Sequence, residues 1–414
     1  AQCTYVVQET INHFLNGGTN PIMVALDMTM AFDMCRFSIL FSKVEAKLPA
    51  VVTRVLIFVY ERQYAWVRWG TYKSSEFGIV NGTRQGSVLS PALFTVYIQE
   101  LLDTLRELGT GCHIGATFLG AVAWADNILL TAPTRGSMQS MLDACSVFAA
   151  KVGLQFSTDP NPAKSKSKAV FVVGRRTDLE KPAPLLLCGK ALPYVAHATH
   201  LGHELHENGT MTMDANMRRG AFIGKCMEVQ EAFSFAAPAE VLGAVKLYCG
   251  DLYGGMLARL DSPEAQRLMN CWGTCVKDVW GLDRATHKVY ARWLGSGHST
   301  IKEDLLSRWP KFFRSLLTGP SPEAAVLARV AAADRRTATA ANNALILSAT
   351  GLSAWTATGD QVRAELRSRE PAMTDDEMTT AEMLLEALQQ RAYLHTQCAD
   401  TTVITARIDR LSTG

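Results

Sequence analysis

Three short segments, in a fixed order along the chain, restrict what it can fold into: VALDMTMAFD at residues 24–33, NGTRQGSVLSP at 81–91 and AWADNI at 123–128. Residues 21–26 form a short, mostly apolar run that reads as a buried strand, with Asp27 at its C-terminal end. Residues 120–124 and 128–131 are two further small apolar runs. Asp126 and Asn127 lie between them, which suits the turn of a tight hairpin, where Asn and Asp are favoured. Pairing these strands would bring Asp27 beside Asp126 from far away in sequence. A lone Asp is more often a solvated residue or a helix cap. The ordered trio is much more specific than any one of its acids.

The middle segment is polar and glycine-containing around Arg84-Gln85-Gly86 and ends in Leu89-Ser90-Pro91. Pro91 suits the first position of a helix and Ser90 its cap. Ala92, Leu93, Val96, Tyr97, Leu101 and Leu105 are spaced for one apolar face of that helix. A helix N-terminus preceded by Gly lets backbone approach a polyanion. An ordinary capped helix accounts for Ser90 and Pro91 but not for Arg84-Gln85-Gly86.

Together the segments resemble motifs A, B and C of the reverse transcriptase of a non-LTR (LINE-like) retrotransposon. The resemblance implies an α+β fold. Its core is a right-hand palm, an antiparallel sheet with packed helices, followed by a primer-grip hairpin, a helical thumb and a helical C-terminal region. The implied boundaries are 1–185 for residual fingers and palm, 186–207 for the hairpin, 208–300 for the thumb and 301–414 for a helical region of unknown role.

The implied activity is RNA-directed DNA polymerisation, a templated nucleotidyl transfer. Two divalent ions about 3.5–4 Å apart can lower a hydroxyl's pKa and stabilise a leaving pyrophosphate. Mg²⁺, with Mn²⁺ as substitute, needs only one or two protein carboxylates plus substrate phosphates. On the family's pattern Asp27 and Asp126 are metal ligands and, with Asn127, the catalytic set. Phe32 matches the aromatic gate that rejects a ribose 2′-hydroxyl, a role compatible with a core position. Arg84, Gln85 and Gly86 fall in the template–nucleotide pocket, and Lys166 is chosen as the motif D lysine. The stretch 192–205 resembles the primer grip, with Leu201 and Gly202 at its centre. The implied partners are an RNA template, a DNA primer and deoxynucleotide triphosphates, met inside the cell, in the nucleus, where target-primed synthesis occurs.

This chain departs from the pattern at two positions. Met30 stands where many relatives carry Lys, and Asn127 stands where they carry a second Asp. Asn keeps a carbonyl oxygen but loses a charge. One charge pair at 4 Å is worth about 4 kcal/mol at an effective dielectric of 20, and each 1.36 kcal/mol is tenfold in rate. The alternative function is therefore a decayed or domesticated palm–thumb module that binds nucleic acid without polymerising. A plain helical scaffold is disfavoured by the motif order.

Of the 414 residues, 48% are hydrophobic and 19% charged, which is globular material with ample core. The formal net charge is only +2, but positive charge clusters at Lys164, Lys166, Lys168, Arg175 and Arg176, and again at Arg218, Arg219 and Lys225. Such local patches, rather than net charge, steer a polyanion. The ten cysteines show no Cys-x-x-Cys pair and read as reduced thiols, with Cys271 and Cys275 facing a core. No apolar run is long enough to span a bilayer, so no membrane partner is expected. The chain opens at Ala1 without Met, and on the family's plan fingers and endonuclease regions of a longer polyprotein would precede it.

Helices are expected over 4–15, 37–47, 49–61, 138–151, 218–233, 238–256, 262–280, 324–347 and 374–389, with a hairpin from 65–69 and 75–80 and strands at 154–156 and 164–173. Tyr248, Tyr253, Trp272 and Trp280 are expected in the core. Residues 319–322 read as a linker. His197, His200, His203 and His206 recur every third residue. In a strand that spacing alternates them between faces, against a metal cluster and for backbone contact or plain surface.

Overall fold

The computed structural model describes every residue except 85, 160, 162, 175–178, 251, 253, 397–401 and 414. Gln85, Arg175, Arg176 and Tyr253 therefore lie outside the described residues. The chain divides into two compact units, Ala1–Thr210 and Met211–Gly414.

The first unit opens with helix α1 (Gln2–Asn16) and strand β1 (Ile22–Leu26), followed by helices α2 (Phe37–Glu45) and α3 (Ala50–Glu61). A ribbon of four two-residue strands comes next: β2 (Tyr64–Ala65), β3 (Arg68–Trp69), β4 (Tyr72–Lys73) and β5 (Phe77–Gly78). Helix α4 (Ser90–Leu108), strands β6 (His113–Ile114), β7 (Thr117–Phe118), β8 (Ala121–Trp124) and β9 (Asn127–Ala132), helix α5 (Arg135–Val152) and strand β10 (Lys168–Phe171) complete the central layers. Two small hairpins close the unit, β11 (Leu186–Leu187) with β12 (Lys190–Ala191) and β13 (His197–His200) with β14 (His203–His206).

The central sheet is antiparallel throughout, in the order β10-β1-β9-β8. Strand β1 is the continuous apolar run Ile-Met-Val-Ala-Leu because both of its faces are covered. Ile22, Val24 and Leu26 join Ile128 and Leu130 in the main core, against Tyr97, Ile98 and Leu101 of α4 and Met141 and Leu142 of α5. Met23, Leu129 and Val170 face the other way, onto Val7 and Ile11 of α1 and onto Ala198 and Leu205 of the last hairpin. Helix α5 is capped by Thr134, whose hydroxyl accepts from the Ser137 backbone N–H at 3.2 Å. It stops at Gly153, which takes the left-handed conformation at φ +77°.

The second unit is helical among the described residues: α6 (Thr212–Ala232), α7 (Pro238–Cys249), a 3₁₀ turn at Gly255–Leu257, α8 (Pro263–Trp280), α9 (Lys288–Leu294), α10 (Ile301–Thr318), α11 (Pro322–Ala333), α12 (Ala338–Thr350), α13 (Gly359–Ser368), α14 (Asp375–Thr396) and α15 (Thr402–Thr413). Cys271, Cys275 and Trp272 are buried as expected, whereas Tyr248 is exposed. No helix of the described residues is long and apolar enough to cross a membrane.

Several expectations need correction. The 65–69 and 75–80 hairpin pairs only at Tyr64–Ala65 with Phe77–Gly78, and its tip folds into a second pairing, Arg68–Trp69 with Tyr72–Lys73. The strand at 154–156 reduces to one bridge, Met28 with Phe156. The helix expected over 238–256 stops at Cys249, before Gly250. The alanine-rich run 324–347 breaks into α11 and α12. Asp334 accepts from the Arg336 backbone, and Thr337 caps the next helix. Residues 319–322 are not a linker between units but a corner joining α10 and α11, with Ser321 capping α11.

Candidate functional site

The site grows from the open end of the central sheet. In β1 and β9, partners run from Ile22 opposite Ala132 to Leu26 opposite Ile128. One further step sets Asp27 opposite Asn127. On the other side, β1 pairs with β10 up to Ala25 opposite Lys168, and two steps on stands Lys166 opposite Asp27. Side chains alternate along a strand. Asp27 therefore shares the face of Met23 and Ala25, Asn127 that of Leu129, and Lys166 that of Val170 and Lys168. Helix α1 and the β13–β14 hairpin cover this face near Met23, Leu129 and Val170.

The geometry agrees with that register. Lys166 Nζ lies 3.9 Å from Asp27 Oδ2, with the Asp27 side chain 36% exposed and the lysine 74% exposed. Asp27's carboxyl is held above its ordinary value by burial first. Lys166 pulls it down, and the nearby charge of Asp126 pushes it up again. Asp27 and Asp126 thus lie near enough to interact electrostatically, with Lys166 beside Asp27.

Asp126 is half-buried in the two-residue turn Ala125–Asp126 that joins β8 to β9. Trp124 pairs with Asn127 across that turn. Asn127 is therefore the exposed first residue of β9 rather than part of the turn itself. Ala125 carries φ +53°, a left-handed conformation that costs an L-residue roughly 1–2 kcal/mol. Such strain persists where the surrounding structure over-determines it.

The backbone of Asp27 is clamped from the neighbouring strand. Its N–H donates to Ser167 Oγ at 3.1 Å, and its carbonyl accepts from the Ser157 N–H at 2.9 Å. Ser165 Oγ donates in turn to the Ser167 carbonyl at 2.6 Å. Sequence reasoning missed these serines. The signal was the alternation Ser165-Lys166-Ser167-Lys168, in which the serines point inward and are buried.

The Arg84 segment is tied to the end of the Asp27 segment. The Gly82 N–H donates to the Cys35 carbonyl at 2.8 Å and the Thr83 N–H to the Phe32 carbonyl at 2.7 Å. Gly82 is at φ +90°, and a Cβ there would lie 3.1 Å from Asp33 Cα, so the close approach requires glycine. Phe32 is half-buried against Phe94, with ring centroids 5.0 Å apart. It is a core-edge residue that also faces outward. Arg84 is exposed and donates to Gln63 Oε1 at 3.3 Å, and Gly86 is exposed at φ +80°. Ser90 does not cap α4. Its hydroxyl donates to the Arg84 carbonyl at 2.5 Å and pins the loop to the helix instead, while Pro91 sits in the first turn as expected.

Leu201 and Gly202 form the turn of the β13–β14 hairpin, at φ +50° and +75°. The histidines separate by face. His200 and His203 are buried. His197 and His206 stack across the hairpin with centroids 6.3 Å apart, and His197 Nδ1 lies 2.7 Å from Glu204 Oε2. Neither ring nitrogen of His200 has a hydrogen-bond partner, and burial lowers its pKa to about 4. Among the expected basic clusters, Lys164 and Lys166 are exposed, but Arg218 is committed to Asp214 at 2.8 Å.

Chemically, the open end of the sheet carries Asp27, Asp126 and Asn127, whose side-chain oxygens are hard donors, with the exposed Lys166 beside Asp27. Residues 3–174 match the reverse transcriptase (RNA-dependent DNA polymerase) family. The chain is 27% identical over 198 residues to the retrovirus-related Pol polyprotein of the type-1 retrotransposable element R2 of Nasonia vitripennis, covering 46% of this chain and 19% of that protein. It is 31% identical over 135 residues to the corresponding polyprotein of the type-2 retrotransposable element R2DM of Drosophila melanogaster, covering 32% of this chain and 13% of the relative. It thus spans less than a fifth of either relative's length. A solved structure of telomerase from Candida albicans, in complex with a fragment of telomeric RNA, superposes with a TM-score of 0.37 at 11% identity, over 70% of this chain and 52% of that one.

Proposed function

Because the chain belongs, through residues 3–174, to the reverse transcriptase family of the non-LTR retrotransposon kind, we propose that it extends a DNA primer on an RNA template by nucleotidyl transfer at Asp27 and Asp126. The single observation carrying this is the convergence of both carboxylates and Lys166 at one end of the sheet. The donor set is all oxygen, which is what a hard divalent cation takes. Asp27, Asp126 and the Asn127 carbonyl oxygen would hold Mg²⁺, or Mn²⁺ in its place. Bound there, the metal supplies Lewis acidity at the attacking hydroxyl and at the phosphoryl oxygens.

This chain's own residues supply the positioning. The clamp from Ser157 and Ser167 fixes the Asp27 backbone, so its carboxylate is aimed from a rigid strand end. Lys166 stands within reach of the same point, where its ammonium can hold a proton or a charge beside an incoming triphosphate. Phe32, packed against Phe94 at the core edge, would be the side chain that excludes a ribose 2′-hydroxyl. Arg84 and Gly86, both exposed, would meet the template and the incoming nucleotide. Leu201 and Gly202 would carry the primer grip, on a hairpin anchored to the sheet by the Val195 N–H to Ala169 carbonyl bond at 2.9 Å.

In this reading residues 1–185 are residual fingers and palm, 186–207 the primer-grip hairpin, 208–300 the thumb and 301–414 an added helical region. RNA template, DNA primer and deoxynucleotide triphosphates are the partners, and the nucleus is the place of action. Asn127 favours one second reading, a nucleic-acid binder that no longer polymerises. Primer extension on an RNA template with Mg²⁺ separates the two. Extension by the native chain that Asp27→Ala abolishes is the expected result. Extension only after Asn127→Asp selects the second reading, and extension that survives Asp27→Ala would sink the assignment of the site.

A further inference from the structure

The ribbon from Tyr64 to Gly78 takes no part in the site described above. It nonetheless carries two of the most exposed aromatic side chains of the first unit. Trp69 and Tyr72 are 82% and 81% exposed. They are direct cross-strand partners at the ribbon's tip, so both rings stand on one face. Arg68 and Lys73 are the next cross-strand pair and stand on the opposite face. Lys73 Nζ is held 3.8 Å from the centroid of the Trp66 ring. At the ribbon's base, the Arg62 guanidinium lies 3.9 Å from the centroid of the Phe58 ring. Packing a cation over a ring face keeps it extended and pre-positioned.

We propose that this ribbon is a stacking platform for single-stranded nucleic acid, with Trp69 and Tyr72 receiving bases and Arg68 and Lys73 meeting the phosphate backbone. Charge decides the kind of occupant. From residue 54 to 84 the chain carries five arginines and lysines against two acids, a local surplus larger than the net charge of +2 for the whole chain. A protein partner would need only the apolar rings. A polyanion needs both rings and cations, because its strand presents a base face and a phosphate at every step. Placement indicates which strand. The ribbon's base is tied to the Arg84 segment through the Ile79 N–H to Gln63 carbonyl bond at 2.9 Å and the Arg84 hydrogen bond to the Gln63 side chain. The platform therefore extends outward from that segment, and its assignment to the template strand rests on the reading of the segment given above.

The test is fluorescence anisotropy of the full chain with short labelled single-stranded RNA and DNA over a salt series. Circular dichroism verifies that each variant folds. Replacing Trp69 and Tyr72 together by Ala should weaken binding by at least about fivefold per ring and leave the salt slope almost unchanged. Replacing Arg68 and Lys73 together by Ala should make that slope shallower, by roughly 0.7 for each phosphate no longer neutralised. Unaltered affinity in the Trp69→Ala/Tyr72→Ala chain would overturn the platform. So would a self-associated state in sedimentation that this variant dissolves without any change in oligonucleotide affinity, since the tip would then be an interface between copies. A loss confined to DNA would overturn the assignment to an RNA template. If the native chain fails to extend primers while its oligonucleotide binding still depends on Trp69 and Tyr72, the polymerase reading fails and the platform stands.

Discussion

Asn127 replaces a carboxylate by an amide directly across the sheet from Asp27, a group already held above its ordinary pKa by burial and by the charge of Asp126. A raised carboxyl pKa means that the native state binds its proton more tightly than the unfolded chain does. The stability this gives is present at low pH and is lost as pH rises through the raised value. Asn127→Asp adds a third like charge to the cluster. It should lower the melting temperature at neutral pH in a chelator, and millimolar Mg²⁺ should restore it, with a gain in extension. A melting temperature equally low with and without Mg²⁺ would show that the three groups do not share a cation. His200 obeys the opposite sign. Its folded pKa of about 4 lies below the ordinary 6.5 because burial penalises the charged ring, so stability rises with pH across that window and falls as acid is added. The acid loss amounts to roughly 3 kcal/mol when complete. His200→Leu should flatten the pH dependence of urea unfolding between about 4 and 6.5, and an unchanged slope would refute the assignment. These residues differ in how openly the sequence displays them. Asp27 and Asp126 stand at the ends of apolar runs. The Ser167 hydroxyl finds its partner 140 residues away, at a distance no local pattern reports.

The joint between the Asp27 and Arg84 segments depends on glycine geometry that can be probed by comparison. Gly82 and Gly86 both have positive φ, at +90° and +80°. A Cβ at Gly82 would press on the Asp33 backbone at 3.1 Å, whereas one at Gly86 meets open space. Gly86→Ala should therefore cost only the conformational penalty, about 1–2 kcal/mol. Gly82→Ala should cost clearly more, because the Gly82 and Thr83 hydrogen bonds to Cys35 and Phe32 must also shift. Chemical denaturation of the two variants distinguishes them, and equal losses would mean the joint yields without strain. Elements of this kind were only partly legible. The sheet strands showed as continuous apolar runs, and α4 as a periodic face behind Pro91. The ribbon tip did not show, because a two-residue strand is too short to carry a period. Ser90 read as a cap because the local rule is blind to the Arg84 carbonyl that captures its hydroxyl. The break between α11 and α12 lay hidden in an alanine-rich run whose stop is set by Asp334 and Thr337, two residues that could have been read as turn and cap.

The family match ends at residue 174, but the first folding unit ends at Thr210. The difference has a physical consequence. Leu185, Leu187 and Leu192 are buried in the main core, and Leu205 in the layer beneath α1, all of them C-terminal to the match. Burying one leucine is worth about 1.5–3 kcal/mol, so removing four would forfeit about 6–12 kcal/mol. That is comparable with the whole net stability of a domain, about 5–15 kcal/mol. Cutting after Thr210 removes none of these side chains. It also preserves the bond from Gln8 Nε2 to the Gly209 carbonyl at 2.7 Å and that from the Val173 N–H to the Glu207 carbonyl at 2.8 Å, which fasten the last hairpin to the unit. A fragment of residues 1–210 should accordingly melt in one cooperative transition with dispersed near-ultraviolet circular dichroism. A fragment of residues 1–174 should show no cooperative transition, although it contains Asp27, Asp126 and Lys166. Thermal melts of the two fragments, with amide exchange on the longer one, check this. A cooperative melt of the shorter fragment at the same temperature would mean that the hairpins decorate the sheet instead of completing it. Asp27 would then sit in a unit able to stand without the hairpin that carries Leu201 and Gly202.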